Sequence, residues 1–317
     1  MFSSPKRKIE KYFRKNPEVK CIVVAGSYGR KSAIRAIGTL LGESYVVTMG
    51  VNKNVQPDVV LLDFNSMEDF PEIEPDLIVI TSCRTDEEAQ RFFALANKSR
   101  KVIVNFSDVP QKFAKYLMNP EIITYGDELP ADFYYENHDS TLEGFTGDIV
   151  TPEREHIPAK LSILGEHNIR PLIMAAAVAR LFQIERAKIV DALEGIRPLN
   201  GRMQPCRGLQ GSIIIDDSAD TSETSVYYGL HTIYALDAPS RIVISDDLSK
   251  LSNFDETLID EVLILGPRVE HKHKESKIDF FETEVELVNH LGQHYEEGGI
   301  ILLEIPLPQI IQSRIWE

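Results

Sequence analysis

Short runs of β-branched and aliphatic residues recur along the chain, and almost every one gives way to a stretch with apolar residues at helical spacing. "IVVA" at 22–25 leads through a glycine turn into Ile34, Ile37, Leu40 and Leu41. "DVVLLDF" (58–64), "DLIVITSC" (76–83) and "KVIVNFSD" (101–108) follow, with the helical "TDEEAQRFFALANKS" between the last two. A strand that is apolar at nearly every position is buried on both faces, as in a parallel sheet covered by helices. The alternation therefore predicts an α/β protein built on mainly parallel sheets. Residues 126–160 break the rhythm and predict an antiparallel hairpin or two, after which "NIRPLIMAAAVARLFQI" and "ERAKIVDALEGI" read as helices.

The stretch "RPLNGRMQP" carries two prolines and a glycine and marks a domain boundary. Beyond it the alternation restarts with "SIIIDDS", "SETSVYYGLHTIYAL", "RIVISDD", "EVLILGP", "EVELVNHLGQHY" and "GIILLEI". We expect a basic amphipathic helix over 1–19, a central domain over 20–198 and a smaller doubly wound, Rossmann-like domain over 199–317. Doubly wound sheets bind ligands at the carboxyl ends of their strands, which draws attention to "DDS" (216–218) and "SDD" (245–247).

The turn after "IVVA" reads "GSYGRKS". Strand, glycine turn and helix point backbone N–H groups and a helix N-terminus at an anion, so Gly26, Ser27, Gly29, Arg30, Lys31 and Ser32 form a candidate phosphate loop. A Walker loop has glycine, lysine and then a hydroxyl residue, whereas here Arg30 precedes Lys31 and Ser32 follows.

A formal net charge of −15 argues against nucleic acid as a partner, because phosphate-backbone binding needs a basic surface. Cys21, Cys83 and Cys206 are scattered without a CxxC, which fits buried thiols in a reducing cytoplasm better than disulfides or zinc. No apolar stretch is long enough for a transmembrane segment, and a cytoplasmic location is expected. "PKRKIEKYFRK" sets Ile9, Tyr12 and Phe13 among six cations, and this helix is expected to lay its apolar stripe on the first domain. "HKHKESK" (271–277) reads as a solvated charged loop.

Three separated motifs, "GSYGRKS", "GEHNIRP" (165–171) and "GRMQ…IIIDDSADTSETS" (201–225), resemble in order and spacing those of the Mur ligases. These are ATP-dependent enzymes that add amino acids or peptides to cell-wall precursors. The likeness is greatest to the ligase adding the D-alanyl-D-alanine dipeptide. It covers roughly residues 20–317 and leaves out the family's N-terminal domain, which holds the UDP-sugar end of the precursor.

The resemblance implies a P-loop-type ATPase domain followed by a Rossmann-like domain, with ATP bound between them. It implies that Asn168 approaches the adenine with His167 beside it, and that Arg202 reaches toward ribose and phosphates. Asp217 would touch ribose or adenine, and Ser225 would start or cap the next helix. In the family's loop a lysine contacts the terminal phosphates and the next hydroxyl residue binds magnesium. Those positions are Arg30 and Lys31 here, and a one-residue shift would make Lys31 and Ser32 the pair. Asp63 is the nearest match to the family's metal-binding glutamate, so Ser32 and Asp63 are the candidate Mg2+ ligands. The histidine that normally follows "VITSC" is absent. Lys98 is the nearest counterpart of the carbamoylated lysine, and Glu304 stands where the closest relatives have a lysine.

The resemblance thus implies one of three activities. The first is an ATP-dependent, ADP-forming carboxylate–amine ligase whose carboxylate and amine substrates the sequence does not name. The second is a pseudo-ligase serving as a nucleotide-binding subunit of a partner protein. The third is a slow ATP-hydrolysing switch.

Overall fold

The computed structural model describes residues 5–52, 54–64, 70–109, 112, 116–118, 121–219, 222–251, 254–270, 277–294 and 297–315. The chain divides into two compact units. The first comprises residues 1–138, 146–160 and 169–196, and the second 139–145, 161–168 and 197–317.

The first unit opens with α1 (Pro5–Lys15), β1 (Lys20–Ala25) and α2 (Arg30–Gly42). It continues through β2 (Val47–Met49), β3 (Val59–Phe64), β4 (Leu77–Ile80), α3 (Asp86–Ala96), β5 (Lys101–Asn105) and β6 (Glu121–Tyr125). The six strands form one parallel sheet in the order β2-β3-β1-β4-β5-β6. Side chains alternate across it: Cys21, Val23 and Ala25 join Phe92, Phe93 and Ala96 of α3 on one face, where Ile9, Tyr12 and Phe13 of α1 also pack. That packing uses the apolar stripe of α1 and leaves its cations outward. Strand β1 is central because five of its six residues are buried.

Strands β7 (Tyr134–Thr141), β8 (Gly144–Val150) and β9 (His156–Leu161) form a separate three-stranded sheet in that order. The two residues between β7 and β8 allow only an antiparallel return, as the alternating sequence predicts. Helices α4 (Arg170–Leu181) and α5 (Arg186–Gly195) complete the first unit, and α4 is buried continuously from Leu172 to Ala179 as it packs on α2. A helix apolar all round sits inside a fold, and its run of alanines lets α2 approach closely.

The second unit contains β10 (Gln204–Arg207), β11 (Ile213–Asp216), α6 (Glu223–Ala235), β12 (Arg241–Ser245) and β13 (Glu261–Leu265). It ends with β14 (Ile278–Phe281), α7 (Glu284–His294), β15 (Ile300–Leu303) and β16 (Ser313–Arg314). The seven strands are ordered β14-β13-β12-β15-β11-β10-β16, and only β10 runs antiparallel to its neighbours. Val226, Leu230 and Ile233 of α6 pack on one face, and Leu287 and Leu291 of α7 on the other. The architecture is the mixed α/β one that the alternation predicts.

Candidate phosphate-binding site

Residues 26–29 connect the carboxyl end of β1, at the centre of a parallel sheet, to α2, whose first turn holds residues 30–32. Gly29 is the N-cap at φ +79, a left-handed conformation that glycine adopts without strain. Gly26 has φ +148, and a Cβ there would lie 2.2 Å from Thr81 Oγ1 and 2.9 Å from the Ser82 nitrogen. Both glycines of the motif are therefore required by the backbone.

The end of β4 holds this loop from the side. Ser27 N–H donates to the Ser82 carbonyl (3.3 Å), and Tyr28 N–H donates to Ser82 Oγ (2.8 Å). The Tyr28 carbonyl accepts from Thr81 Oγ1 at 2.5 Å and from Ser82 Oγ at 3.0 Å. Two of the loop's N–H groups are thus committed to the fold. The first helical bond of α2 is Ala33 N–H to the Gly29 carbonyl, so the N–H groups of Arg30, Lys31 and Ser32 precede the helical ladder. They point out of the helix N-terminus, where an anion is favoured.

Arg30 folds back over the loop. Its guanidinium donates to the Gly26 carbonyl, and its Nε donates to Asp63 Oδ1 at 2.7 Å. Asp63 lies near the carboxyl end of β3, beside β1, so the sheet itself delivers this carboxylate to the loop. Lys31 is exposed and has no ion pair with a described residue, and Ser32 is half-buried. The structure thus gathers Gly26, Ser27, Gly29, Arg30, Lys31, Ser32 and Asp63 at one place.

Two residues that the motif reading passed over belong to the same place. Arg84 stands just past β4, where the family's histidine is expected, and its guanidinium lies over the Tyr28 ring at 4.8 Å. Glu88 is the other. Burial pushes its carboxyl up, but hydrogen bonds from the Arg84 and Thr85 N–H groups outweigh this and hold it below the usual range. The "TDEE" spacing of a capping box was the available signal.

Lys98 stands elsewhere, which corrects the expectation for it. It follows the C-terminus of α3, just before β5 begins, and so stands at the amino end of the strands, whereas the loop lies at their carboxyl end. Its ammonium sits over the Phe70 ring at 5.5 Å.

Deeper in the first unit, Arg170 at the start of α4 spans two carboxylates. Its NH1 donates to Asp108 at 2.9 Å, while Nε and NH2 hold both oxygens of Asp127 at 2.8 and 2.6 Å. The three side chains are 13 to 29% exposed. This clamp fixes α4 to the carboxyl ends of β5 and β6.

In the second unit, His167, Asn168, Arg202 and Asp217 are positioned by short-range geometry. Asn168 closes a single helical turn, with its side-chain Nδ2 donating to the Leu164 carbonyl at 2.9 Å. The His167 ring stacks on Tyr228 of α6 at 4.6 Å. Asp217 is buried, and its two oxygens accept from Met203 N–H (3.0 Å) and Ser225 Oγ (2.9 Å). Ser225 and Tyr228 are three residues apart on α6, so His167 and Asp217 attach to one helix face.

One expectation is corrected here. The N-cap of α6 is Ser222, whose side chain accepts from Ser225 N–H, and Ser225 is the third helical residue, facing Asp217. Arg202 follows the Gly201 turn and is half-buried. Glu304, directly after β15, is fully buried opposite Gly229, where a Cβ would come within 2.9 Å of its carboxylate. His271 and His273 of the "HKHKESK" reading lie outside the described residues.

The sequence matches the family described as the Mur ligase middle domain over residues 86–179. It is 27% identical over 122 residues to the UDP-N-acetylmuramoyl-L-alanyl-D-glutamate–2,6-diaminopimelate ligase of Bacillus licheniformis. It is likewise 27% identical over 129 residues to the corresponding L-lysine ligase of Staphylococcus aureus. Over this stretch the chain is similar to the Mur ligases. These matches cover 38 and 41% of this chain but 25% of each relative.

The fold agrees over a far longer stretch than the sequence does. MurF from Acinetobacter baumannii superposes with a TM-score of 0.74 at 15% identity, covering 93% of this chain and 76% of that chain. The MurF ligase of Thermotoga maritima, in complex with ADP, gives 0.70 at 13% identity, covering 96 and 81%. Folylpolyglutamate synthetase from Lactobacillus casei gives 0.69 at 13%, covering 96 and 93%.

The residues present fit a polyphosphate but not a loop-bound magnesium ion. Magnesium takes oxygen ligands in octahedral geometry. Here Asp63 already holds a guanidinium, and the position after Arg30 carries an ammonium that offers no lone pair. No helix among the described residues is long and apolar enough to cross a membrane.

Proposed function

We propose that this Mur ligase-like chain binds the phosphates of ATP at residues 26–32 without a loop-bound magnesium ion, and acts as a nucleotide-binding pseudo-ligase subunit. The Arg30–Asp63 ion pair carries the reading. A guanidinium placed on the loop's acidic neighbour supplies the positive charge that magnesium would otherwise bring, and it repels a divalent cation from the same carboxylate. The N–H groups of Arg30, Lys31 and Ser32, together with the Lys31 ammonium, supply the remaining contacts for phosphate oxygens. Ligation of the family's kind transfers a phosphoryl group to a carboxylate, which an amine then attacks, and the charge that develops needs preorganised cations. A planar guanidinium pinned to Gly26 and Asp63 does not follow that charge as a free lysine would. The reading implies a protein partner that responds to the nucleotide.

The test is titration calorimetry with a non-hydrolysable ATP analogue, with and without magnesium. Affinities equal within about threefold support the reading, and a tenfold or greater gain with magnesium overturns it. A second reading rests on the exposure of Asp63, whose side chain is 43% accessible at the rim of the loop. Release of Arg30 would free this carboxylate, and the protein would then be an ATP-dependent carboxylate–amine ligase acting on a peptidoglycan precursor. Magnesium-dependent ADP release stimulated by an acceptor amine is the outcome that favours it.

A further inference from the structure

Three side chains of metal-ligand type meet in the second unit: Glu261 of β13, Asp279 of β14 and His290 of α7. Strand alternation brings the two carboxylates together. Val262 and Ile264 of β13 and Ile278 of β14 turn toward the α6 side, whereas Leu263, Leu265 and Phe281 pack with α7. Glu261 and Asp279 share the parity of this second set and so project toward α7. On α7, Leu287 and Leu291 enter the core, and His290 comes down beside them at the edge of the contact. His290 Nε2 lies 2.7 Å from Glu261 Oε1, and one ligand atom from each of the three residues lies within 4.8 Å of the others. The Phe281 ring, 5.1 Å from the imidazole, walls one side.

A single ion pair does not account for this arrangement. The His290 and Glu261 side chains are only 22 and 17% exposed, and Asp279 adds a second carboxylate with no ion-pair partner among the described residues. Two carboxylates facing one imidazole leave excess negative charge, which a divalent cation removes. Imidazole as one of three ligands selects zinc and its transition-metal neighbours over magnesium and calcium. Zinc bonds of about 2.0–2.2 Å place tetrahedral ligand atoms roughly 3.4 Å apart. The Glu261–His290 contact therefore opens by well under 1 Å, and Asp279 closes by a side-chain rotation. Asp279 is exposed, which leaves the fourth position to water.

We infer that Glu261, Asp279 and His290 form a divalent transition-metal site that takes zinc. Titration of the full metal-free chain with Zn2+ is expected to show one site in the micromolar range, with Mg2+ competing at least 100-fold more weakly. The Asp279→Asn and His290→Ala variants should each weaken binding tenfold or more. Substitution with Co2+ should give visible absorption bands that the same variants abolish. Asp279 is exposed, so its variant is expected to fold, and circular dichroism checks this for both. Zinc binding unchanged in these variants, binding lost instead on replacing His271 and His273, or no binding at 100 µM Zn2+ would each overturn the inference.

Discussion

Replacing Arg30 by Lys and Lys31 by Thr converts the loop to the lysine-then-hydroxyl order of the family pattern, and the structure sets the size of the effect. Arg30 contributes an ion pair to Asp63 and a charged hydrogen bond to the Gly26 carbonyl. The pair joins side chains that are 19 and 43% exposed, so screening limits it to about 0.5–1 kcal/mol. The charged hydrogen bond adds about 1.5 kcal/mol. The double variant should therefore unfold in urea with a stability about 2 kcal/mol lower than the parent. At the same time, Asp63 and the new threonine hydroxyl become two oxygen ligands beside the loop. Binding of a non-hydrolysable ATP analogue, insensitive to magnesium in the parent, should strengthen with magnesium at least tenfold, or about 1.4 kcal/mol. Arg30→Ala alone frees the carboxylate without adding a hydroxyl and should show less than half of that gain in free energy. A double variant as indifferent to magnesium as the parent would refute the idea that the guanidinium displaces the metal.

Three further outcomes are expected. Gly26→Ala forces a Cβ to within 2.2 Å of Thr81 Oγ1 at φ +148 and should cost about 2–4 kcal/mol in urea unfolding, with phosphate binding lost. Arg170→Met leaves Asp108 and Asp127 facing each other uncompensated and should cost about 3 kcal/mol, at least half of which the triple Arg170→Met/Asp108→Asn/Asp127→Asn variant should recover. Burial and the nearby Glu88 carboxylate push the Cys83 thiol up to about 11. Its alkylation by iodoacetamide at pH 8, followed by mass spectrometry, should then be at least about 200-fold slower than that of a free cysteine, burial of the thiol slowing it further, and rise about tenfold per pH unit toward 11.

The sheets were legible where burial is two-sided. The apolar runs of β3, β4 and β5 stand out because helices cover both faces, and the glycine spacing located the loop because the backbone needs both glycines. The elements that escaped are short or lie at edges. Strand β2 spans three residues and none is fully buried, and β6 is an edge strand with one buried residue in five. Pairings across the sheet escaped for another reason. Arg30 and Asp63 are 33 positions apart, and only the neighbouring register of β1 and β3 joins them. Strand parity fixes the faces of Glu261 and Asp279, but not the helix that descends on them. Asp217 was recognisable as a residue of interest, whereas its bonds to Met203 and Ser225 depend on a turn and a helix face that no spacing rule specifies.

The bonds from Thr81 and Ser82 to the loop have a kinetic meaning. A segment already fastened along its length to a buried strand end does not have to be ordered when a ligand arrives, so binding there carries little entropic cost of closure. Phosphate association in stopped flow should then be a single step whose observed rate rises linearly with ligand concentration and does not saturate. The same fastening means that changes in Ser82, a buried residue bonded to the loop, should appear chiefly as an altered association rate, with a slow ordering phase where the parent has none.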